Sequence, residues 1–259
     1  MVMPTFRSAC RAALLAALLS APTFAASNEA NVPHEPPGGW KHTGITGTFD
    51  RHALQRGYQV YKEVCAACHS MNLVAFRNLT EIGFSEEQVK AIAAGYQVPD
   101  APDDNGEVKM RPGIPADRFV SPFANDKAAR AANNGALPPD LSLMVKARHH
   151  GEDYLYSLLT GYTTAPEGVT MGQGMNYNPY FSGGQIAMAS PLTEDGVTYA
   201  DGTKATVPQM AADVSTFLAW VAEPKLEERK QTGVKVILFL IVFSLLMYAT
   251  KRRVWRNLH

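Results

Sequence analysis

Cys65-Ala66-Ala67-Cys68-His69 is the stretch on which everything else in this chain turns. It has the C-x-x-C-H spacing of c-type haem attachment. The two thiols can add across the two vinyl groups of one porphyrin, and the histidine that follows at once can bind the iron as proximal axial ligand. Two cysteines at this spacing also occur as redox dithiols and as halves of zinc sites. Zinc needs two further Cys or His ligands at short spacing, and the only other cysteine is Cys10. A thioredoxin-like dithiol belongs at a strand-to-helix junction, whereas here a helical pattern runs straight into the motif. The expectation is one covalently attached haem c, held by Cys65 and Cys68, with His69 on the iron.

Upstream of the motif, Asp50 can cap a helix. Its apolar stripe is Leu54, Gly57, Tyr58, Tyr61 and Val64, at spacings of three and four. A glycine inside that stripe costs helix propensity, so it marks close approach of another helix. The helix should deliver Cys65 from its last turn. Before it, Ser27 to Gly47 mixes prolines and glycines with polar residues and reads as an irregular arm.

Downstream, Ser85-Glu86-Glu87-Gln88 is a capping box leading into Val89, Ile92 and Ala93, with Gly95 as the stop. A proline-rich passage over residues 99–122 carries Asp100, Asp103, Asp104 and Glu107. It is either a solvated loop or a docking patch for a basic soluble partner. Asn125-Asp126 can cap a short helix through Ala128, Ala129 and Ala132, ending near Gly135. Asp140 begins a segment through Leu143, Val145 and Ala147. Asp153 to Thr160 form a further helix, with Gly161 at its C′ position. Residues 161–208 read as loops with one hairpin near Val197 to Val207. A last helix, Val207 to Ala222, places Val214, Phe217, Leu218 and Val221 on one side, and Pro224 ends it. The fold class is mainly α: a cytochrome c-like haem domain with long loop insertions, plus one C-terminal transmembrane helix.

Both ends of the chain are apolar. Arg7 and Arg11 precede Ala12-Ala13-Leu14-Leu15-Ala16-Ala17-Leu18-Leu19, and Ala21-Pro22-Thr23-Phe24-Ala25-Ala26 follows, which is the pattern of a secretory signal peptide over residues 1–26. Cleavage there removes Cys10 and leaves both motif cysteines uncommitted. At the other end, Gly233 to Thr250 is broken only by Lys235, Ser244 and terminal small residues. At 1.5 Å per residue it covers about 27 Å, enough for a bilayer core. Lys251, Arg252, Arg253 and Arg256 follow it. The positive-inside rule puts them in the cytoplasm. The expected layout is a periplasmic haem domain over residues 27–230, an anchor over 231–250 and a cytoplasmic basic tail over 251–259. The protein would be single-pass in a bacterial inner membrane. Among 259 residues the formal net charge is zero, which points to no nucleic-acid partner.

An electron-transfer haem needs a second axial ligand, usually Met or His. His149 and His150 are candidates. Met71 lies too close to His69 to reach the opposite face of the ring, Met110 and Met144 come early, and Met210 starts the last helix. Met171, Met175 and Met188 remain.

The chain resembles the cytochrome c1 family, the haem-bearing subunit of ubiquinol–cytochrome c oxidoreductase, in its bacterial type. The likeness rests on Arg56-Gly57-Tyr58-Gln59-Val60-Tyr61 with the haem motif and on the run from Ala128 to Ser142, which includes Pro138-Pro139-Asp140-Leu141-Ser142. It continues through Ala147-Arg148-His149, Gly151-Glu152-Asp153-Tyr154, Ser157-Leu158-Leu159-Thr160-Gly161-Tyr162, Asn178-Pro179-Tyr180-Phe181 and Ile186-Ala187-Met188-Ala189. The resemblance implies Met188 as distal ligand and Arg148 beside a haem propionate. It implies an electron-transfer subunit, not an enzyme on its own, that relays single electrons from the Rieske iron–sulfur protein to a soluble cytochrome c. Cytochrome b is the other implied partner. This chain lacks the cysteines for the extra disulfide of some bacterial members. Two further functions fit the haem motif: a haem catalyst with an open sixth site, and an anchored cytochrome serving a different enzyme.

Overall fold

The computed structural model describes residues 32–257; the expected signal peptide, Cys10 and the last two residues lie outside them. Helix α1 spans Arg51–Glu63, and the Asp50 carboxylate accepts from the N–H groups of His52 and Ala53 at 3.0 and 3.4 Å. Those N–H groups have no partner inside the helix, which is why a carboxylate is favoured at that position. The helix stops one residue earlier than its apolar stripe suggests. Cys65–Ala67 form a separate 3₁₀ turn, with the N–H groups of Cys68 and His69 donating to Cys65 O at 3.1 and 2.9 Å. The haem motif is therefore a tight loop just beyond α1, not its last turn.

A 3₁₀ segment, Phe76–Ile82, follows, and then α2, Glu86–Ala94. The Ser85–Gln88 capping box forms as its sequence predicts, at 3.2 and 2.8 Å. Gly95 ends α2 with φ −73°, without a left-handed turn. The proline-rich passage is not all loop. β1, Gln97–Pro99, pairs antiparallel with β2, Met110–Pro112, in the register Val98↔Arg111. Proline is tolerated at the ends of so short an edge ladder, where its missing N–H is not needed. Asp103 closes the connection by accepting from the N–H groups of Asn105 and Glu107, both at 3.0 Å, and pairs with Lys109. Asp100 pairs with Arg111. Two of the four carboxylates read as a possible docking patch thus serve the hairpin itself.

Helix α3, Asp126–Ala132, is capped by Asn125. The segment expected from Asp140 to Ala147 is a series of turns, not a helix. Helix α4, Gly151–Thr160, begins two residues before its expected start, directly after His150 at φ 65°. Gly161 follows it at φ −94°, so the expected left-handed end is absent. Glycine is required there for space: a Cβ would lie 2.5 Å from Ser157 O and from the Tyr180 ring. In the long loop region, β3, Asn176–Tyr177, pairs with β4, Gln185–Ile186. The hairpin expected near Val197 to Val207 does not form. Val197, Tyr199 and Ala205 are buried in the core, and Thr198 O accepts from the Gln59 side chain at 2.8 Å. Alternating apolar residues here serve an irregular segment packed on helices.

Helix α5, Val207–Ala222, matches its expected bounds and is capped by Thr206. It crosses α1 at Gly57, where a Cβ would stand 2.1 Å from Asp213 O and 2.6 Å from Phe217 Cβ. The close approach that the glycine implied is therefore real. Beside the crossing, Arg56 donates twice to Asp213, both bonds at 2.9 Å, and once to Asp201 at 2.8 Å. Tyr58, Tyr61, Phe76, Phe119, Phe217 and Trp220 fill the core around it, mostly edge-to-face or tilted, arrangements that aromatic quadrupoles favour.

After three residues the chain enters α6, Leu226–Trp255, about 45 Å long at 1.5 Å per residue. By length and composition it can cross a membrane. Its first turns are gripped by the arm read as irregular and by the residues that lead from it into α1. Glu227 accepts from Phe49 N–H at 2.7 Å and pairs with Arg51, while Lys230 donates to the carbonyls of His42 and Gly47 at 2.5 and 3.1 Å. The arm is itself pinned to α4. Trp40 Nε1–H donates to Asp153 at 2.5 Å, the buried His42 donates to Glu152 at 3.1 Å, and His34 N–H donates to Ser157 Oγ at 2.8 Å.

Candidate functional site

His69 is held in one tautomer. Its Nδ1 lies 2.8 Å from the carbonyl of Pro139, and a carbonyl can only accept, so Nδ1 carries the hydrogen and Nε2 keeps its lone pair. Burial pushes the imidazole pKa below its ordinary value, only partly offset by the Pro139 hydrogen bond and by Asp140. The ring is therefore neutral at physiological pH, the form that ligates a metal. Tyr61 OH donates to His69 O at 3.4 Å, tying the ring's backbone to α1.

The two thiols differ. Cys65 is half-buried, and burial with the neighbouring Cys68 pushes its pKa up to about 12; Cys68 is exposed. Catalytic and redox cysteines need the opposite, a thiolate favoured at neutral pH, so the dithiol alternative is disfavoured. Among the described residues, no group of three or more His, Cys, Asp or Glu side chains is placed to hold a metal ion. That leaves zinc without its remaining ligands.

The methionines sort by burial. Met71 and Met210 are fully enclosed in the core, Met144 is buried, and Met110 is exposed on β2. Met171, Met175 and Met188 are each half-buried in the loops between α4 and α5. The Met188 carbonyl accepts from Tyr162 OH at 3.1 Å, and Met175 N–H donates to Gly172 O at 3.1 Å. Arg148 is exposed on the turn before α4. It donates only to the adjacent carbonyl of Ala147, at 3.1 Å, and has no carboxylate partner among the described residues. His149 and His150 are exposed beside it. Two thiols and a neutral imidazole with its Nε2 open fit covalent haem attachment and ligation of the iron by His69. Sequence reasoning did not find Pro139 or Tyr162, because one acts through a backbone carbonyl and the other through a hydroxyl on a loop.

A mainly helical head carrying this donor set, with a membrane-length helix behind it, defines a c-type cytochrome. The chain matches the Cytochrome C1 family over residues 40–258. It is 50% identical over 237 residues to "Cytochrome c1 1, heme protein, mitochondrial" of Arabidopsis thaliana, covering 91% of this chain and 77% of that relative. It is 51% identical over 223 residues to "Cytochrome b-c1 complex catalytic subunit, mitochondrial" of Candida albicans, covering 86% and 77%. To "Cytochrome b/c1" of Bradyrhizobium diazoefficiens it is 50% identical over 248 residues, covering 87% of this chain and 36% of that relative. The chain belongs to the cytochrome c1 family: a haem c protein of electron transport.

Proposed function

We propose that this chain is the haem subunit of a bacterial ubiquinol–cytochrome c oxidoreductase, receiving single electrons from the Rieske iron–sulfur subunit and passing them to a soluble cytochrome c. Cytochrome b and the Rieske protein are its partners in the complex, and the chain has no catalytic activity alone. Residues 1–26 are a signal peptide, 27–230 a periplasmic head, 231–250 the anchor and 251–259 a cytoplasmic tail. Bound haem supplies a one-electron iron couple.

The observation that carries this is the His69 geometry. Its Nδ1–H is committed to the Pro139 carbonyl, so Nε2 is the nitrogen that would bind the iron, and Cys65 and Cys68 would hold the porphyrin. Met188 would supply a second iron ligand through its sulfur, from a loop where its carbonyl accepts from Tyr162 OH. Histidine–methionine ligation raises the potential and closes the iron to small oxidants, which favours relay over a haem catalyst. Arg148, which has no carboxylate partner among the described residues, would balance the charge of the propionates.

Spectroscopy of the full chain in membranes tests this. The native protein should be low-spin with a methionine–iron charge-transfer band. Met188→Leu should abolish the band, while Met171→Leu and Met175→Leu keep it. A high-spin native spectrum, or a band that survives Met188→Leu, overturns the ligand assignment. The assembly is tested separately, by whether cytochrome b and the Rieske subunit co-purify with the haem-bearing band.

A further inference from the structure

We infer that Asp140 is the positioning residue of the proximal ligand, its carboxylate locking the Pro139 carbonyl against His69 Nδ1–H. The inference rests on the proposed ligation by His69. Residues 70–73 leave His69 and run beside residues 139–142, and hydrogen bonds close the two segments together around Asp140. Its Oδ2 accepts from Ser70 Oγ–H and from Asn72 N–H, both at 2.8 Å, and its Oδ1 accepts from Ser142 N–H at 2.8 Å. Leu141 N–H donates to Ser70 O at 2.9 Å. Ser142, 1% exposed, accepts through Oγ from Leu73 N–H at 3.0 Å. The Pro139 carbonyl that meets the imidazole at 2.8 Å thus belongs to the first residue of a segment tied to the segment that follows the histidine.

The chemistry demands a carboxylate. Three donors converge on Asp140, and none of the groups bonded to it needs a hydrogen in return. Asparagine is nearly the same shape but offers one acceptor oxygen, and its NH₂ would be turned against a donor. Among the described residues no lysine or arginine pairs with Asp140, so the backbone and the serines alone hold it. A fixed carbonyl on Nδ1–H raises the basicity of the ligand nitrogen and fixes the ring orientation. A more basic ligand favours ferric iron, so loosening this carbonyl should raise the potential.

The test is a redox titration of the c-type haem in membranes holding the full complex, with the electron paramagnetic resonance g-values of the ferric haem as second readout. Asp140→Asn should shift the ferric–ferrous equilibrium about tenfold toward ferrous, ~59 mV upward for one electron, and move the g-values. Asp140→Glu keeps the charge on a longer stem that misplaces it, so it should remain shifted. Wild-type potential and g-values in Asp140→Asn overturn the inference; so does full recovery in Asp140→Glu, which would make the effect one of charge alone. If Asp140→Asn yields no haem protein, Ser142→Ala removes the acceptor for Leu73 N–H and the hydroxyl beside the Asp140 carboxylate. An upward shift smaller than tenfold then supports the positioning role, and no shift overturns it. Failure of the His69 assignment would show separately, as a native ferric signal lacking histidine–methionine character.

Discussion

Replacing Gly57 with alanine adds one carbon where α1 and α5 cross. The added Cβ would sit 2.1 Å from the carbonyl oxygen of Asp213 and 2.6 Å from Phe217 Cβ, where ordinary contact begins at 3.4 Å. The first obstacle is backbone, so no side-chain rotation relieves it; the helices must part by more than an ångström. Asp213 is also the residue whose carboxylate, 2% exposed, holds Arg56 through two bonds of 2.9 Å, so parting the helices stretches that pair too. Overpacking of this kind costs about 3 kcal/mol, and alanine's better helix propensity offsets about 1. The net loss of about 2 kcal/mol corresponds to a fall of roughly 4–8 °C in melting temperature for a chain of this size. Thermal unfolding of the full chain in detergent, followed by near-ultraviolet dichroism, measures it. Gly233 is the control, since a Cβ there meets nothing within 4 Å, and Gly233→Ala should leave the melting temperature unchanged or slightly raised. If Gly57→Ala melts with the wild type, the crossing does not depend on the missing side chain.

Two further perturbations probe the head. Asn178 is fully buried, donating to Leu158 O at 2.7 Å and accepting from Tyr180 N–H at 3.1 Å; Asn178→Ala should cost about 1–3 kcal/mol in denaturant titrations, and a loss near zero would show that the loop relaxes around it. The Asp201 carboxyl is held down at about 2 by hydrogen bonds from Thr203 and from the Arg56 guanidinium. A depressed folded-state pKa stabilises the fold above the unfolded value of about 4. That contribution is lost as pH falls toward about 2. Asp201→Asn should flatten the melting-temperature profile across that window, and an unchanged acid slope would show that the carboxylate gives the folded state no net advantage.

Sequence reasoning located the helices better than the connections, and for physical reasons. Asp50, Ser85, Asn125 and Thr206 cap their helices because short polar side chains satisfy N–H groups whose positions follow from helix geometry alone. Gly57 was readable because a glycine in an apolar stripe has few other uses. The loops depended on partners distant in sequence. Val197 and Tyr199 alternate as a strand would, yet they are buried against helices and form no ladder. The 99–112 stretch reads as loop from its prolines, yet Asp103 and Asp100 close it into a hairpin through Lys109 and Arg111. At the haem site, the thiols and the histidine announce themselves by spacing. The Pro139 carbonyl cannot, because every residue has one. Met188 was one of three methionines until a family resemblance chose it, and the structure adds only that its carbonyl accepts from Tyr162 OH.

The grip of residues 42–51 on the first turns of α6 bears on how this protein can move. Lys230 is bonded to two carbonyls of the arm, Glu227 to Phe49 and Arg51, and Arg229 to Glu223 at the end of α5. The arm is in turn fastened to α4 through Trp40 and His42. A head fastened in this way is a bracket on its post, not a buoy on a tether. Tilting it would break several charge-assisted bonds at once.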